Sequence, residues 1–207
     1  MPSHDQKQSY IRKDGRRAMI AEAARALILE HGYAALRTRD VAARVGINIS
    51  TLHFHVPSKA ALVALIAETT RDNFLARLPP PPDAERPAGA QLRAEAQAYH
   101  DSLRDRPELA ACLAQLRQIG GTVPDVAAMI DSFTDDWLRR YAEIITIGQQ
   151  QGAFRSDLTP LPAALAITGA LTAFGARGPH GLEMFWPVFN ELERGFLVAP
   201  GPEDEQR

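Results

Sequence analysis

The chain has 207 residues, with 23 Lys+Arg against 25 Asp+Glu and a net charge of −2. That length makes one large domain or two small ones, and a chain of this size buries roughly 70% of its unfolded surface, so stability requires no disulfide or metal. The single cysteine, Cys112, excludes an internal disulfide and fits a reducing cytoplasm.

The charge is unevenly spread. Residues 1–60 carry 10 Lys+Arg against 5 Asp+Glu, a net of +5, whereas residues 61–207 carry 13 against 20, a net of −7. A basic head on an acidic body confines polyanion binding to one end and argues against sequence-indifferent DNA compaction. Residues 1–13 are polar, and read either as a disordered terminus or as a basic arm bearing Lys7, Arg12 and Lys13. The first 30 residues hold no apolar core of the signal-peptide type. Arg16 to His31 reads as a helix, since Ile20, Ala23, Ala24, Leu27 and Ile28 follow a period of 3.6, and Gly32 closes it.

Residues 36–59, LRTRDVAARVGINISTLHFHVPSK, read as two short helices about a tight turn. Thr38 is placed to cap the first and Asn48 the second, because side-chain oxygens accept from free backbone N–H groups there. Gly46 suits a left-handed C-cap, and Pro57 ends the second helix. Ser58 caps a third, which opens with Lys59. Val41, Ala42, Val45, Ile47 and Leu52 turn inward. Arg37, Arg39, Arg44, Ser50, Thr51, His53, His55 and Lys59 are left mostly outside. Two helices about such a turn form a helix-turn-helix, whose second helix can enter the major groove.

The helix from Lys59 runs to about Leu78, where Pro79–Pro82 stop it, and residues 79–88 form a loop. Further helices are expected at 89–105, 107–119, 124–151, 160–176 and 180–198, with Pro107, Pro124 and Pro160 as starts and Gly120, Gly121 and Gly152 as stops. Pro187 predicts a kink in the last. The uncharged run from Leu158 to Ala176 is rich in alanine and threonine and holds two prolines, so no membrane span is expected. The fold class is therefore all-α. A three-helix head at 1–57 is joined by a connector helix to a helical body at 58–198, and a disordered tail follows at 199–207.

At these residues a family is visible. The stretch from about Arg16 to Leu65 resembles the DNA-binding domain of the TetR repressors. The likeness rests on the opening Arg-rich helix, Glu30-His31-Gly32-Tyr33, Thr38-Arg39, Val41-Ala42, Gly46, Thr51-Leu52, His55-Val56 and Ser58-Lys59. It implies contacts to double-stranded operator DNA from Arg37, Thr38, Arg39, Asn48, Ile49, Ser50, Thr51, His53, Phe54, His55 and Lys59. Arg39 matches a position that reaches a base or phosphate, and Lys59 a backbone contact. His53 stands where the family usually has a phosphate-binding tyrosine, and Arg37 where a small hydroxyl residue is usual. Ile49 is either core or a contact to a thymine methyl, and Phe54 either a wedge or a groove contact.

The helices at 160–176 and 180–198 resemble the pair that forms the family's four-helix dimer interface. Ala163, Ala164, Gly169, Ala170 and Ala173 would permit close approach, and Phe174, Phe185, Trp186 and Phe189 would supply area; the alternative for the pair is ordinary intrachain core, and dimerisation is the reading favoured. Tyr99, His100, Leu103, Cys112, Leu116, Met129, Phe133, Trp137, Tyr141 and Phe174 are candidates for an effector pocket, and the same residues would equally make a plain helical core. The expected protein is a cytoplasmic, homodimeric repressor with no cofactor and no catalytic or metal-binding residue. An unidentified small-molecule effector would move the connector and spoil the half-site spacing. The alternative is an enzyme or small-molecule carrier using a cavity in the C-terminal body.

Overall fold

The computed structural model describes residues 4–119, 124–177 and 179–198. Among them the chain is helical, with one isolated antiparallel bridge between Phe154 and Leu197. The helices are α1 (His4–Ala35), α2 (Thr38–Val45), α3 (Ile49–His55), α4 (Lys59–Leu75), α5 (Ala88–Asp105), α6 (Pro107–Ile119), α7 (Pro124–Gln150), α8 (Pro160–Thr172) and α9 (Phe185–Arg194), with 3₁₀ turns at Ala173–Ala176 and Pro179–Met184. Two compact units result, Met1–Leu75 with Ala111–Asp131, and Ala76–Ala110 with Ser132–Arg207.

The first unit holds the predicted head, and its core extends past residue 57. Ile20, Ala24, Leu27 and Ile28 of α1 meet Val41 and Ala42 of α2, Leu52 of α3, and Leu62, Val63 and Ile66 of α4. Cys112 and Leu116 of α6, and Val126 and Ile130 of α7, close the same cluster. Each fully buried aliphatic side chain there is worth about 1.5–3 kcal/mol. Arg25 is buried beside Cys112 and binds the Glu22 carboxylate at 2.7 Å. Burial pushes the Cys112 thiol above its ordinary pKa against the lowering effect of Arg25.

Several boundaries differ from the sequence reading. α1 begins at His4, not Arg16, so the backbone of the supposed disordered arm is helical from there. The break at Gly32 is real, with φ 77°, although helix resumes as far as Ala35. Thr38 is the first helical residue of α2, and Arg37, in extended conformation, occupies the N-cap without a side-chain bond. The α4 helix stops at Leu75, ahead of the prolines. The predicted 180–198 helix divides into a 3₁₀ turn and α9, with Pro187 third in α9. A first-turn proline has no intrahelical N–H to lose, so the interruption precedes it rather than forming a kink at it. The tail at 199–207 lies outside the described residues.

In the second unit, the proline-rich loop before α5 is fastened by polar side chains. Gln91 Nε2 donates to the Asp83 and Arg86 carbonyls at 2.8 and 2.9 Å, while its Oε1 accepts from Asp83 N at 2.9 Å. Gln151 donates to the Ala84 and Arg86 carbonyls and accepts from Ala88 N. Arg140 donates to the Pro79 and Pro80 carbonyls and, through Nε, to Glu95 Oε1 at 2.9 Å.

Near the end of α7, Gly148 lies under the Phe154 ring, where an added Cβ would fall 2.0 Å from a ring carbon. Phe154 is buried, so its ring has little room to retreat. Gly148→Ala should therefore destabilise the protein by about 1–3 kcal/mol, read as a lower midpoint in urea. An unchanged midpoint would mean that the ring relaxes freely.

Candidate nucleic-acid interface

The first unit displays α3. Its turn is built as its residues require. Gly46 caps α2 with φ 73° and ψ 34°, a left-handed conformation that costs least without a Cβ. Asn48 Oδ1 then accepts from Thr51 N at 2.6 Å, capping α3. Ser58 Oγ accepts from Ala61 N at 3.0 Å, capping α4. Both caps are those the sequence predicts.

At about 100° of rotation per residue, Ile49, Ser50, His53 and Phe54 share an arc of about 140° on α3. All four are exposed, whereas Leu52 is wholly buried. Arg37 and Arg39 are exposed close by in the chain, with Arg39 Nε 3.6 Å from the Asp40 carboxylate. Arg39 is thus left only a loose ion pair. Thr38 and Thr51 are half-buried.

Other predicted contacts have intramolecular duties. Asn48 spends its side-chain oxygen on the cap. His55 lies half-buried on the side of α3 away from the exposed arc, with the Phe54 ring edge-on to it at 5.3 Å and 85°. Lys59 Nζ donates to the Tyr33 carbonyl at 2.9 Å and sits 4.2 Å from the Tyr33 ring centroid, so it caps the end of α1. Arg44 grips Glu30 through both terminal nitrogens at 2.6 and 2.7 Å. That hydrogen-bonded pair holds the Glu30 carboxyl below its ordinary pKa. Neither the Lys59 nor the Arg44 bond has a local sequence signal, because the partners stand 26 and 14 residues away.

The ten residues expected at an effector pocket are divided between the two units. Cys112 and Leu116 are fully buried in the core of the first unit, with Met129 packed against it. The other seven belong to the second unit, where most join an aromatic cluster. Tyr99 and Trp137 lie 5.1 Å apart, Trp137 and Tyr141 5.4 Å, His100 and Phe185 5.1 Å, and Phe174 and Phe185 5.3 Å. Leu103 is buried within van der Waals reach of the position of Gly175. Phe185 and Phe189, expected at a dimer interface, are fully buried in the chain's own core, as Phe174 nearly is. Phe185, expected at the dimer interface, thus joins the aromatic cluster, and Glu95 is a buried residue that sequence reasoning did not name. Glu95 is buried, and among the described residues its Oε2 has no hydrogen-bond partner, nor has the Tyr141 hydroxyl. Burial raises the carboxyl of Glu95 against the lowering effect of Arg140, and raises the phenol of Tyr141 well above its ordinary range. Among the described residues, no group of His, Cys, Asp and Glu could hold a metal ion, and no single helix is long and apolar enough to cross a membrane.

Residues 20–66 match the family model for bacterial regulatory proteins of the tetR family. The chain carries the tetR-family DNA-binding head. That match covers the α2–turn–α3 geometry and most of the core beneath it. Solved structures extend the likeness in fold over most of the chain. A regulatory protein of the tetR family from Rhodococcus RHA1 superposes with a TM-score of 0.75 at 21% identity, covering 89% of this chain and 98% of that one. A regulator from Saccharomonospora viridis, solved in complex with choline, gives 0.71 at 23% identity, covering 90% and 100%. The fatty acid degradation regulator from Bacillus halodurans gives 0.69 at 21%, covering 87% and 95%. No curated protein matches the sequence.

Lys59→Ala should lower stability by about 1 kcal/mol, since it removes a charged donor from the Tyr33 carbonyl. Urea denaturation without DNA measures this, and an unchanged midpoint would show that the bond contributes nothing.

Proposed function

We propose that this protein is a homodimeric transcriptional repressor that binds a pseudo-palindromic operator and is released by a small-molecule effector. The observation that carries the reading is the exposed arc of α3, Ile49, Ser50, His53 and Phe54, beside the exposed Arg37 and Arg39. A helix-turn-helix places such an arc against base edges, while cations and backbone amides hold phosphates. Thr38, Thr51 and Lys59 would supply further phosphate contacts, Lys59 through donors left over from the Tyr33 bond. Acting on operator DNA places the protein in the cytoplasm.

Dimerisation finds support in α8. Its sequence, PLPAALAITGALT, has no charge, and Leu161, Leu165 and Gly169 recur every fourth residue on its exposed side, with exposed Ala173 following in the 3₁₀ turn. Leu161 is 52% and Leu165 60% exposed. An apolar stripe of that kind suits burial against its own copy about a twofold axis. Two heads would then read half-sites about 34–36 Å apart, or a multiple of that. The interface would rest on this stripe and not on Phe185 or Phe189.

The effector would bind at the aromatic cluster of the second unit, where the Tyr141 hydroxyl and Glu95 Oε2 are polar groups left to satisfy. The Saccharomonospora viridis regulator, solved with choline, supports a small-molecule role for such a body. An effector shifts the protein off DNA only by its differential affinity for the bound and free states.

Two measurements test the reading. In a gel shift, one duplex should survive excess random competitor, with affinity falling steeply and linearly in log salt. Sequence-blind binding at every salt concentration would sink the repressor. Leu165→Glu should convert a dimer to a monomer in sedimentation velocity and weaken operator binding at least tenfold. A variant that stays dimeric would remove α8 from the interface.

A further inference from the structure

The two largest side chains on the exposed arc of α3 are apolar. Phe54 is 77% exposed and Ile49 40%. Exposed phenyl rings forgo the favourable transfer out of water, so the face is built for a state in which they are covered. The arrangement indicates what covers them. Ser50 and His53 lie between Ile49 and Phe54 on the arc, so the apolar surface forms two separate points rather than the continuous patch that a protein partner uses. Exposed Arg37 and Arg39 belong to the same motif, which suits a polyanion. The Phe54 ring stands edge-on to His55, which gives it a preferred direction before any contact is made.

The major groove offers one apolar group on its floor, the 5-methyl of thymine. Building on the operator-binding reading above, we infer that Phe54 and Ile49 determine specificity by packing on thymine methyl groups, so each half-site carries a thymine opposite each side chain. Five residues of helix separate the two by about 7.5 Å along the axis. That is about two base steps of 3.4 Å, so the two methyls belong to different base pairs. Ser50 and His53 are left for hydrogen bonds to the bases or phosphates between them.

The test begins by selecting an operator from random duplexes with the full-length protein. Each thymine of the selected half-site is then replaced in turn by deoxyuridine, which removes only the methyl group. At two positions, loss of the methyl should weaken binding about fourfold, the worth of roughly one buried CH₂. Phe54→Ala should abolish the thymine-over-uracil preference at one of these positions and keep it at the other, and Ile49→Ala the reverse. Phe54→Leu, which keeps an apolar tip, should retain most of the preference. None of the three should change the salt slope, because no phosphate contact is lost. Both side chains are exposed, so the variants fold as the parent does.

The inference is overturned by a selected half-site without thymine, or by indifference to uracil at every position. It is overturned equally if Phe54→Ala weakens all duplexes alike and leaves the methyl preference intact. If no duplex is enriched, operator binding itself fails and this inference falls with it, which separates the two failures.

Discussion

Leu52 is the one fully buried residue of α3, and the placement of that helix's exposed face depends on it. Seven residues are too few to make a helix that stands alone in water, since nucleation costs more than one turn of hydrogen bonds returns. The helix persists because Leu52 packs among Ile20, Val41, Leu62 and Ile66, and because Asn48 and Ser58 cap the helices on either side of the following turn. The core beneath is made by α1 and α4 together with segments of α6 and α7. The face that meets solvent is therefore aimed by side chains that never touch it, and a loss of volume under Leu52 would be felt as a change of direction on the other side of the helix.

Electrostatics in the head divides its cations by task. Arg44 closes on Glu30, Lys59 on the Tyr33 carbonyl, and Arg25 is buried against Glu22. Arg37 and Arg39 are left nearer to solvent. The +5 of the first 60 residues thus overstates the charge free to meet a polyanion. Counting charge in sequence measures attraction at long range; the geometry determines which cations can approach within hydrogen-bond distance.

Much of the head was legible because its signals are local. Gly46, Asn48 and Ser58 act on neighbours within four residues, and Val41, Ala42 and Leu52 show their burial by periodicity alone. What was not legible depends on distant residues. The ammonium of Lys59 reads as a free phosphate contact until Tyr33, 26 residues earlier, is brought beneath it. In sequence Phe185 and Phe189 are expected at an interface, with the core as the alternative, and the ring contacts of Phe185 with Phe174 and His100 place it in the core. Cys112, Leu116 and Met129 look like pocket residues by type, yet α6 and α7 each contribute residues to two units and those three fall in the first. The cap of α2 moved by a single residue, from Thr38 to Arg37, because dihedral angles and not side-chain preference set that boundary.

The proline-rich segment ahead of α5 has a consequence of another kind. Gln91 and Gln151 hold much of it through neutral amides, which carry no ionisable proton and little sensitivity to dissolved ions. Much of its fastening is thus chemically deaf to the two variables, acidity and ionic strength, that most readily loosen a protein from nucleic acid. This part of the body can therefore pass through a salt jump and a swing of acidity with its form unchanged, and ion pairs elsewhere on the surface are the first to feel either.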